Sequence, residues 1–366
     1  MARAIKLAKK GHFTTSPNPR VGCVIVKENE IVGEGFHLKA GKGHAEVNAL
    51  AQAGENAKGA TAYVTLEPCS HFGRTPPCAQ ALIDAGIKQV ICAMVDPNPQ
   101  VSGAGLAMLN NAGIETKAGL LELDAKALNP GFIKLMIDKR PYVRCKLAAS
   151  LDGRTAMANG ESQWITSSEA RKDVQRLRAQ SCAVLSGADS IILDNARMTV
   201  RWHELGAIQS QYPEAELRQP VRIIIDSKNR LTPDLALFNE TNASAPIILI
   251  RKSIENFHQW PHFVEQVEVP LLSSGFVDLD KVLELLAKRG LNDILIEAGK
   301  TLSGAFIEQD LVDELILYQA PKLMADEAQG LVRMPSITHL KQAKTLSFKE
   351  IVMVGGDIRI TAVFNQ

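Results

Sequence analysis

A chain of 366 residues, 46% of them hydrophobic, is too long for one small core and suits two domains. A formal net charge of +1 and a pI near 7.6 leave no basic footprint for nucleic acid, so a nucleotide-like substrate would be a single small molecule. No apolar run is long enough to span a bilayer, and Met1–Lys10 lacks the apolar core and cleavage site of a secretory signal.

In chain order, the opening segment reads as a basic amphipathic helix. Strand-like runs at 21–27, 31–36, 61–66 and 89–95 then alternate with helical patterns near 44–54, 76–86 and 102–112, the pattern of a layered α/β domain. Asp138-Lys139-Arg140-Pro141 is the expected seam, because Pro141 disfavours helix at the residue before it and a new strand run starts at Tyr142. Two domains, 1–140 and 141–366, are therefore expected. The second mixes strands at 142–148, 182–186, 221–226, 246–250, 293–297, 312–318 and 357–364 with helices near 168–180, 278–289 and 301–308. A polar loop around 203–220 reads as exposed. Neither an internal repeat nor a low-complexity stretch is visible.

Four of the six cysteines, Cys23, Cys92, Cys145 and Cys182, lie in apolar strand-like runs and read as reduced core residues, which points to a cytoplasmic setting. The other two belong to a different pattern. His44-Ala45-Glu46, then Pro68-Cys69, then Cys78 supply one imidazole, two thiolates and a spare carboxylate. Three such ligands leave a tetrahedral zinc ion one open position for water, whose pKa falls to about 7 on the metal. Glu46, two residues after the ligating histidine, is placed to shuttle protons without binding the metal. A helix beginning at His44 after the Gly41-Lys42-Gly43 turn, and a second opening at Pro76-Pro77-Cys78, would put Cys78 at the positive end of a helix dipole. The spacing leaves two readings open. Nucleobase deaminases usually carry Pro-Cys-x-x-Cys, and the wider gap here also suits two unrelated buried thiols.

The residues that fill this gap, Ser70-His71-Phe72-Gly73-Arg74-Thr75-Pro76-Pro77, resemble the deaminase half of the bifunctional RibD family of riboflavin biosynthesis. Thr14-Thr15-Ser16-Pro17-Asn18-Pro19 before Val21–Val26, Asp96-Pro97-Asn98-Pro99, and Gly103 with Gly105 carry the same resemblance. It continues into the second half at Lys146–Arg154, Glu161–Thr166, Ile223–Ser227 and Glu297-Ala298-Gly299, so it covers essentially the whole chain. The resemblance implies a cytidine-deaminase-like domain followed by a dihydrofolate-reductase-like domain, with zinc and NADPH as cofactors. It further implies hydrolytic deamination of 2,5-diamino-6-(5-phosphoribosylamino)pyrimidin-4-one at C2. Hydride transfer from NADPH to ribose C1′ of 5-amino-6-(5-phosphoribosylamino)uracil would follow, giving the ribityl chain. A homodimer or homotetramer is implied as well.

Residue by residue, the resemblance places Asn18, His37, His71 and Arg74 against the pyrimidine and its phosphate. In the second half it places Ala148, Trp164, Asp194, Ser227 and the Gly299-Lys300-Thr301-Leu302-Ser303-Gly304 loop against NADPH. Lys146, Ser162, Arg178, Met198, Arg201 and Glu297 fall at its substrate positions. On residues alone, Asp293–Glu297 followed by that loop reads as a strand leading into a helix N-terminus that could cradle an anion, although it is neither GxGxxG nor a P-loop. Arg178 and Arg201 suit a bidentate phosphate clamp, and Lys146 and Glu297 suit sugar hydroxyls. The chain departs from the family at Asp194-Asn195-Ala196, where Asp-Asp-Pro is usual, and in having fewer residues before the first helix.

Two other readings carry different consequences. An RNA or free-nucleoside deaminase with an accessory domain would keep the zinc chemistry, but the wide cysteine gap and near-neutral charge oppose it. A binding module with structural zinc would close the fourth coordination position with a protein ligand, and none is evident nearby.

Overall fold

The computed structural model describes residues 1–71, 76–99, 101–254 and 257–365. The chain divides into two compact units, Met1–Arg140 and Pro141–Gln366. In the first, strands β1 (Gly22–Lys27), β2 (Glu30–Phe36), β3 (Thr61–Val64), β4 (Gln89–Cys92) and β5 (Glu115–Ala118) form one sheet in the order β2-β1-β3-β4-β5. β1 runs antiparallel to both β2 and β3, whereas β3, β4 and β5 are parallel. The helices are α1 (Ala2–Ala8), α2 (Ala45–Ala53), α3 (Cys78–Asp84), α4 (Ala104–Asn111), α5 (Glu122–Leu128) and α6 (Pro130–Asp138). Its main core joins Cys23, Ile25, Val64 and Val90 of the sheet to Ala45, Ala49 and Leu82 of the helices.

Small residues set how α2 sits. Ala45, Ala49 and Ala53 face the sheet, and Gly35 of β2 gives the helix room. A Cβ on Gly35 would lie 2.5 Å from the Ala49 amide nitrogen and 2.9 Å from Asn48 Cβ, and closer still to the Ala45 carbonyl oxygen. The His44 end of α2 is thus held by backbone contact, which tolerates little displacement.

The second unit contains β6 (Tyr142–Ser150), β7 (Arg154–Ala156), β8 (Ala183–Gly187), β9 (Val221–Ile225), β10 (Ile247–Arg251), β11 (Val264–Glu268), β12 (Asp293–Ile296), β13 (Glu314–Ala320), β14 (Gln329–Gly330), β15 (Leu346–Val354) and β16 (Asp357–Phe364). Nine of these form a sheet in the order β11-β10-β9-β8-β12-β6-β13-β16-β15, parallel from β11 through β13 and antiparallel beyond. Both faces are covered, so the parallel strands are nearly continuous apolar runs. Ile223, Ile250 and Ile296 pack with α9 (Leu279–Lys288) and α10 (Lys300–Glu308). Leu295, Ile316 and Tyr318 pack with α7 (Ser168–Gln180), and Val184, Ile224 and Leu249 with α8 (Ala188–Asp194).

Local signals explain the helices that periodicity identifies. Asp278 caps α9 by accepting from the Asp280 and Lys281 amides, and Leu279, Val282, Leu283 and Leu286 make its buried stripe. Ser167 caps α7 through the Ala170 amide. Elements with weak patterning escaped the sequence. β5 and β15 are edge strands with mostly exposed side chains, so neither alternates cleanly. The 203–220 segment, expected to be an exposed loop, is largely exposed, and within it short 3₁₀ turns bury Leu205 and Tyr212.

Candidate active sites and family membership

His44 is the N-cap of α2, in extended conformation, and its side chain makes no capping bond, so the ring is free to face the cysteines. Its Nδ1 lies 3.2 Å from Cys78 Sγ and 3.7 Å from Cys69 Sγ, and the three donor atoms all fall within 4.8 Å of one another. Tetrahedral zinc with usual Zn–N and Zn–S bonds needs donor separations of about 3.6 Å. The residues therefore fit zinc. Cys78 opens α3, and its amide donates to Cys69 Sγ at 3.3 Å, while the Ala79 amide donates to the Cys69 carbonyl at 3.1 Å.

Between the two sulfurs, the Cys78 thiol hydrogen-bonds to Cys69. Cys69 falls to about 4, chiefly because the Cys78 thiol donates to it, while Cys78 is raised by holding that proton. Zinc held here would take both sulfurs as thiolates, without that proton. Glu46, on the first turn of α2, is only 3% exposed. Burial is the main reason its carboxyl is pushed up to about 7.

Around this cluster, His37 donates from Nδ1 to the Gly43 carbonyl at 3.2 Å and meets the Asn18 amide at Nε2, also at 3.2 Å. That pattern assigns the neutral tautomer, in keeping with a pKa lowered mainly by burial. The His37 ring packs edge-on to His44, with centroids 5.3 Å apart. His71 is exposed in the turn after Cys69. Arg74 lies outside the described residues. Sequence reasoning did not single out Glu67, a buried carboxylate that accepts four backbone N–H bonds beside the cysteine turn. Its Glu-Pro-Cys context was the available signal.

In the second unit a cavity of about 810 Å³ opens at the carboxyl end of the parallel strands, where α/β sheets place their ligands. It brings together the expected substrate residues Lys146, Ser162, Arg178, Met198 and Glu297. The expected cofactor residues Ala148, Trp164, Asp194, Gly299 and Lys300 line it too. Ser227, in the turn after β9, and Arg201 do not. Arg201 is exposed and pairs with Glu204 at 2.8 Å.

Within the cavity Arg178 is bidentate to Glu297, at 2.6 and 3.0 Å, and gives its third bond to the Thr199 carbonyl at 3.0 Å, so much of its hydrogen-bonding capacity holds a carboxylate. The Gly299–Gly304 cradle is narrower than its sequence implied. Lys300 already begins α10, Ser303 is buried with its hydroxyl on the Ala298 carbonyl at 3.1 Å, and Gly304 is buried where Arg333 backbone crosses. Thr301 through Gly304 are helical and do not line the cavity.

Burial lowers the Lys146 ammonium pKa, against the raising influence of Glu297. Burial would raise Glu297, but Arg178 and Lys146 outweigh it and hold the carboxyl below its ordinary value. Ser186 and the exposed Leu193 also line the cavity, and the Ser186 hydroxyl donates to the Glu297 carbonyl at 2.7 Å. Sequence reasoning passed over both. Asn195, in place of the usual aspartate, adopts the left-handed conformation (φ 45°) that ends α8 and accepts the Ala236 amide at 2.8 Å.

Comparison with known proteins agrees with this geometry. Residues 1–94 match the cytidine and deoxycytidylate deaminase zinc-binding region, and residues 141–358 match the RibD C-terminal domain. The riboflavin biosynthesis protein RibD of Escherichia coli (strain K12) is 53% identical over 98% of this chain and 96% of its own length. That of Haemophilus influenzae is 51% identical over 99% and 95%. Among solved structures, Acinetobacter baumannii RibD superposes with a TM-score of 0.89 at 44% identity, covering 100% of this chain and 98% of that one. A Thermotoga maritima diaminohydroxyphosphoribosylaminopyrimidine deaminase/5-amino-6-(5-phosphoribosylamino)uracil reductase gives 0.85 at 33% identity, covering 100% and 97%. Among the described residues no helix is long and apolar enough to cross a membrane. With a zinc-binding deaminase domain and a reductase domain joined in one chain, this protein belongs to the RibD family of bifunctional deaminase/reductase enzymes of riboflavin biosynthesis.

Proposed function

We propose that unit 1–140 deaminates 2,5-diamino-6-(5-phosphoribosylamino)pyrimidin-4-one at C2, with His44, Cys69 and Cys78 as zinc ligands and Glu46 as the proton carrier. The observation that carries this is the convergence of the three donor atoms within 4.8 Å beside a buried carboxyl. Zinc bound there supplies the Lewis acidity that lets water act as a nucleophile near neutral pH. The Glu46 carboxylate takes the proton that this water loses and returns it to the departing amino nitrogen, a task favoured by a pKa near the working pH. Asn18 gives its amide N–H to His37, which leaves Oδ1 as an acceptor for a pyrimidine N–H. Arg74 and His71 would receive the phosphate.

Unit 141–366 would then reduce the ribosyl group of 5-amino-6-(5-phosphoribosylamino)uracil. NADPH supplies the hydride when bound along Ala148, Trp164, Asp194, Ser227 and the first turn of α10, whose backbone N–H groups carry no side-chain cap. Lys146 and Glu297 hold the sugar hydroxyls, with Glu297 fixed by Arg178. Arg201, exposed and paired across one helical turn with Glu204, can exchange that partner for the substrate phosphate. A homodimer or homotetramer working in the cytoplasm belongs to the same reading.

Glu46→Ala tests the first site. The variant should retain zinc and NADPH oxidation on the uracil substrate, yet lose ammonia release from the diaminopyrimidine. Retained ammonia release would overturn the role given to Glu46.

A further inference from the structure

Glu67 stands two residues before Cys69 and is 3% exposed. Among the described residues its carboxylate accepts four hydrogen bonds, each from a backbone N–H group. Oε2 accepts from Asp96 and Gly103, both at 3.0 Å, and Oε1 from Gly105 at 2.8 Å and Leu106 at 3.2 Å. The Glu67 amide also donates to the Met94 carbonyl at 3.0 Å. A buried carboxylate is tolerable only when its lone pairs are met in this way.

Its partners, Asp96, Gly103 and the first turn of α4, are remote in sequence from the cysteine turn. The two backbones touch directly. A Cβ on Gly105 would run into the Pro68 carbonyl and lie 3.2 Å from Glu67 Oε1. On its other side the turn is fastened to α3, through the Cys78 and Ala79 amides on Cys69.

The geometry points to Glu67 as a positioning residue of the deaminase, which fixes the Cys69 turn against the Asp96, Gly103, Gly105 and Leu106 amides so that this backbone sets where the sulfur sits. The inference rests on Cys69 being a zinc ligand. It makes a carboxylate necessary rather than any buried polar group. A glutamine would turn an NH₂ donor toward two of the four N–H donors, and an aspartate would fall one methylene short.

Full-length Glu67→Gln and Glu67→Asp proteins loaded with zinc test this. Zinc transfer to a chromophoric chelator and the thiolate-to-metal absorption band after cobalt substitution read the site itself. Circular dichroism reads folding, and NADPH oxidation by the second unit is an internal reference. Outer-shell changes typically cost about 10- to 100-fold in metal affinity, so E67Q should release zinc about tenfold faster or more, with a shifted cobalt band and E67D intermediate. Deaminase kcat should fall more than KM rises, with reductase activity unchanged. Zinc release within about twofold of the parent and an unmoved band would refute the positioning role. So would failure of the first unit to fold in both variants, because Glu67 would then serve folding at large. A parent protein that takes up no zinc would instead sink the metal reading beneath it.

Discussion

Gly35→Ala separates the stability of the first unit from the placement of its chemistry. The added methyl would sit 2.5 Å from the Ala49 amide nitrogen and 2.9 Å from Asn48 Cβ. Non-bonded heavy atoms rest at roughly 3.5–4.0 Å, so α2 must retreat by about 1 Å. Overpacking of this kind costs about 1–3 kcal/mol, against the roughly 5–15 kcal/mol of an ordinary domain, so most molecules stay folded. The helix that retreats carries Glu46 and starts at His44. A misplacement of about 1 Å costs on the order of 100-fold in rate, near 2.7 kcal/mol of barrier. Deaminase kcat/KM should therefore fall about 100-fold, with NADPH oxidation unchanged and a urea melt shifted by only the overpacking cost. If ammonia release stays within about threefold of the parent while the melt does shift, backbone contact between β2 and α2 does not position the site.

Two further outcomes concern the second unit. Glu297 has a folded pKa below its unfolded value of about 4.3, so its pairing with Arg178 stabilises fully above that pH and fades as pH falls toward the lowered folded value. Urea melts should weaken below about pH 4, and Glu297→Gln should lose about 3 kcal/mol at neutral pH, since it strands a guanidinium only 15% exposed. A neutral-pH melt identical to the parent would remove this pair from the stabilising set. Arg171 lies over the exposed Trp164 ring, 4.4 Å from its centroid, and donates to the Thr166 carbonyl at 2.9 Å. An exposed cation–π contact is worth about 0.5–1 kcal/mol, so Arg171→Ala should raise KM for NADPH about two- to fivefold and leave kcat alone. An unchanged KM would show that Arg171 does not hold Trp164 for the cofactor.

The candidate ligand residues were legible because metal chemistry restricts residue type. His44, Cys69 and Cys78 with a nearby spare carboxylate admit few uses, and an α/β layering follows from apolar periodicity. The resemblance carried by Ser70–Pro77 resolved a cysteine spacing that chemistry left open, and matching relatives agree with it along nearly the whole chain. The committed partners of polar side chains were not legible. Nothing local marks Arg178 for Glu297, 119 positions away, or Glu67 for the Gly105 amide, 38 away. The same holds for Gly35, which reads as an interruption of a strand until α2 is packed on it. Residue type and spacing fix which atoms can bind a metal or carry a proton. Which of those atoms are spent on neighbours, and how closely two backbones approach, depends on contacts between distant segments that exist only once the chain has folded.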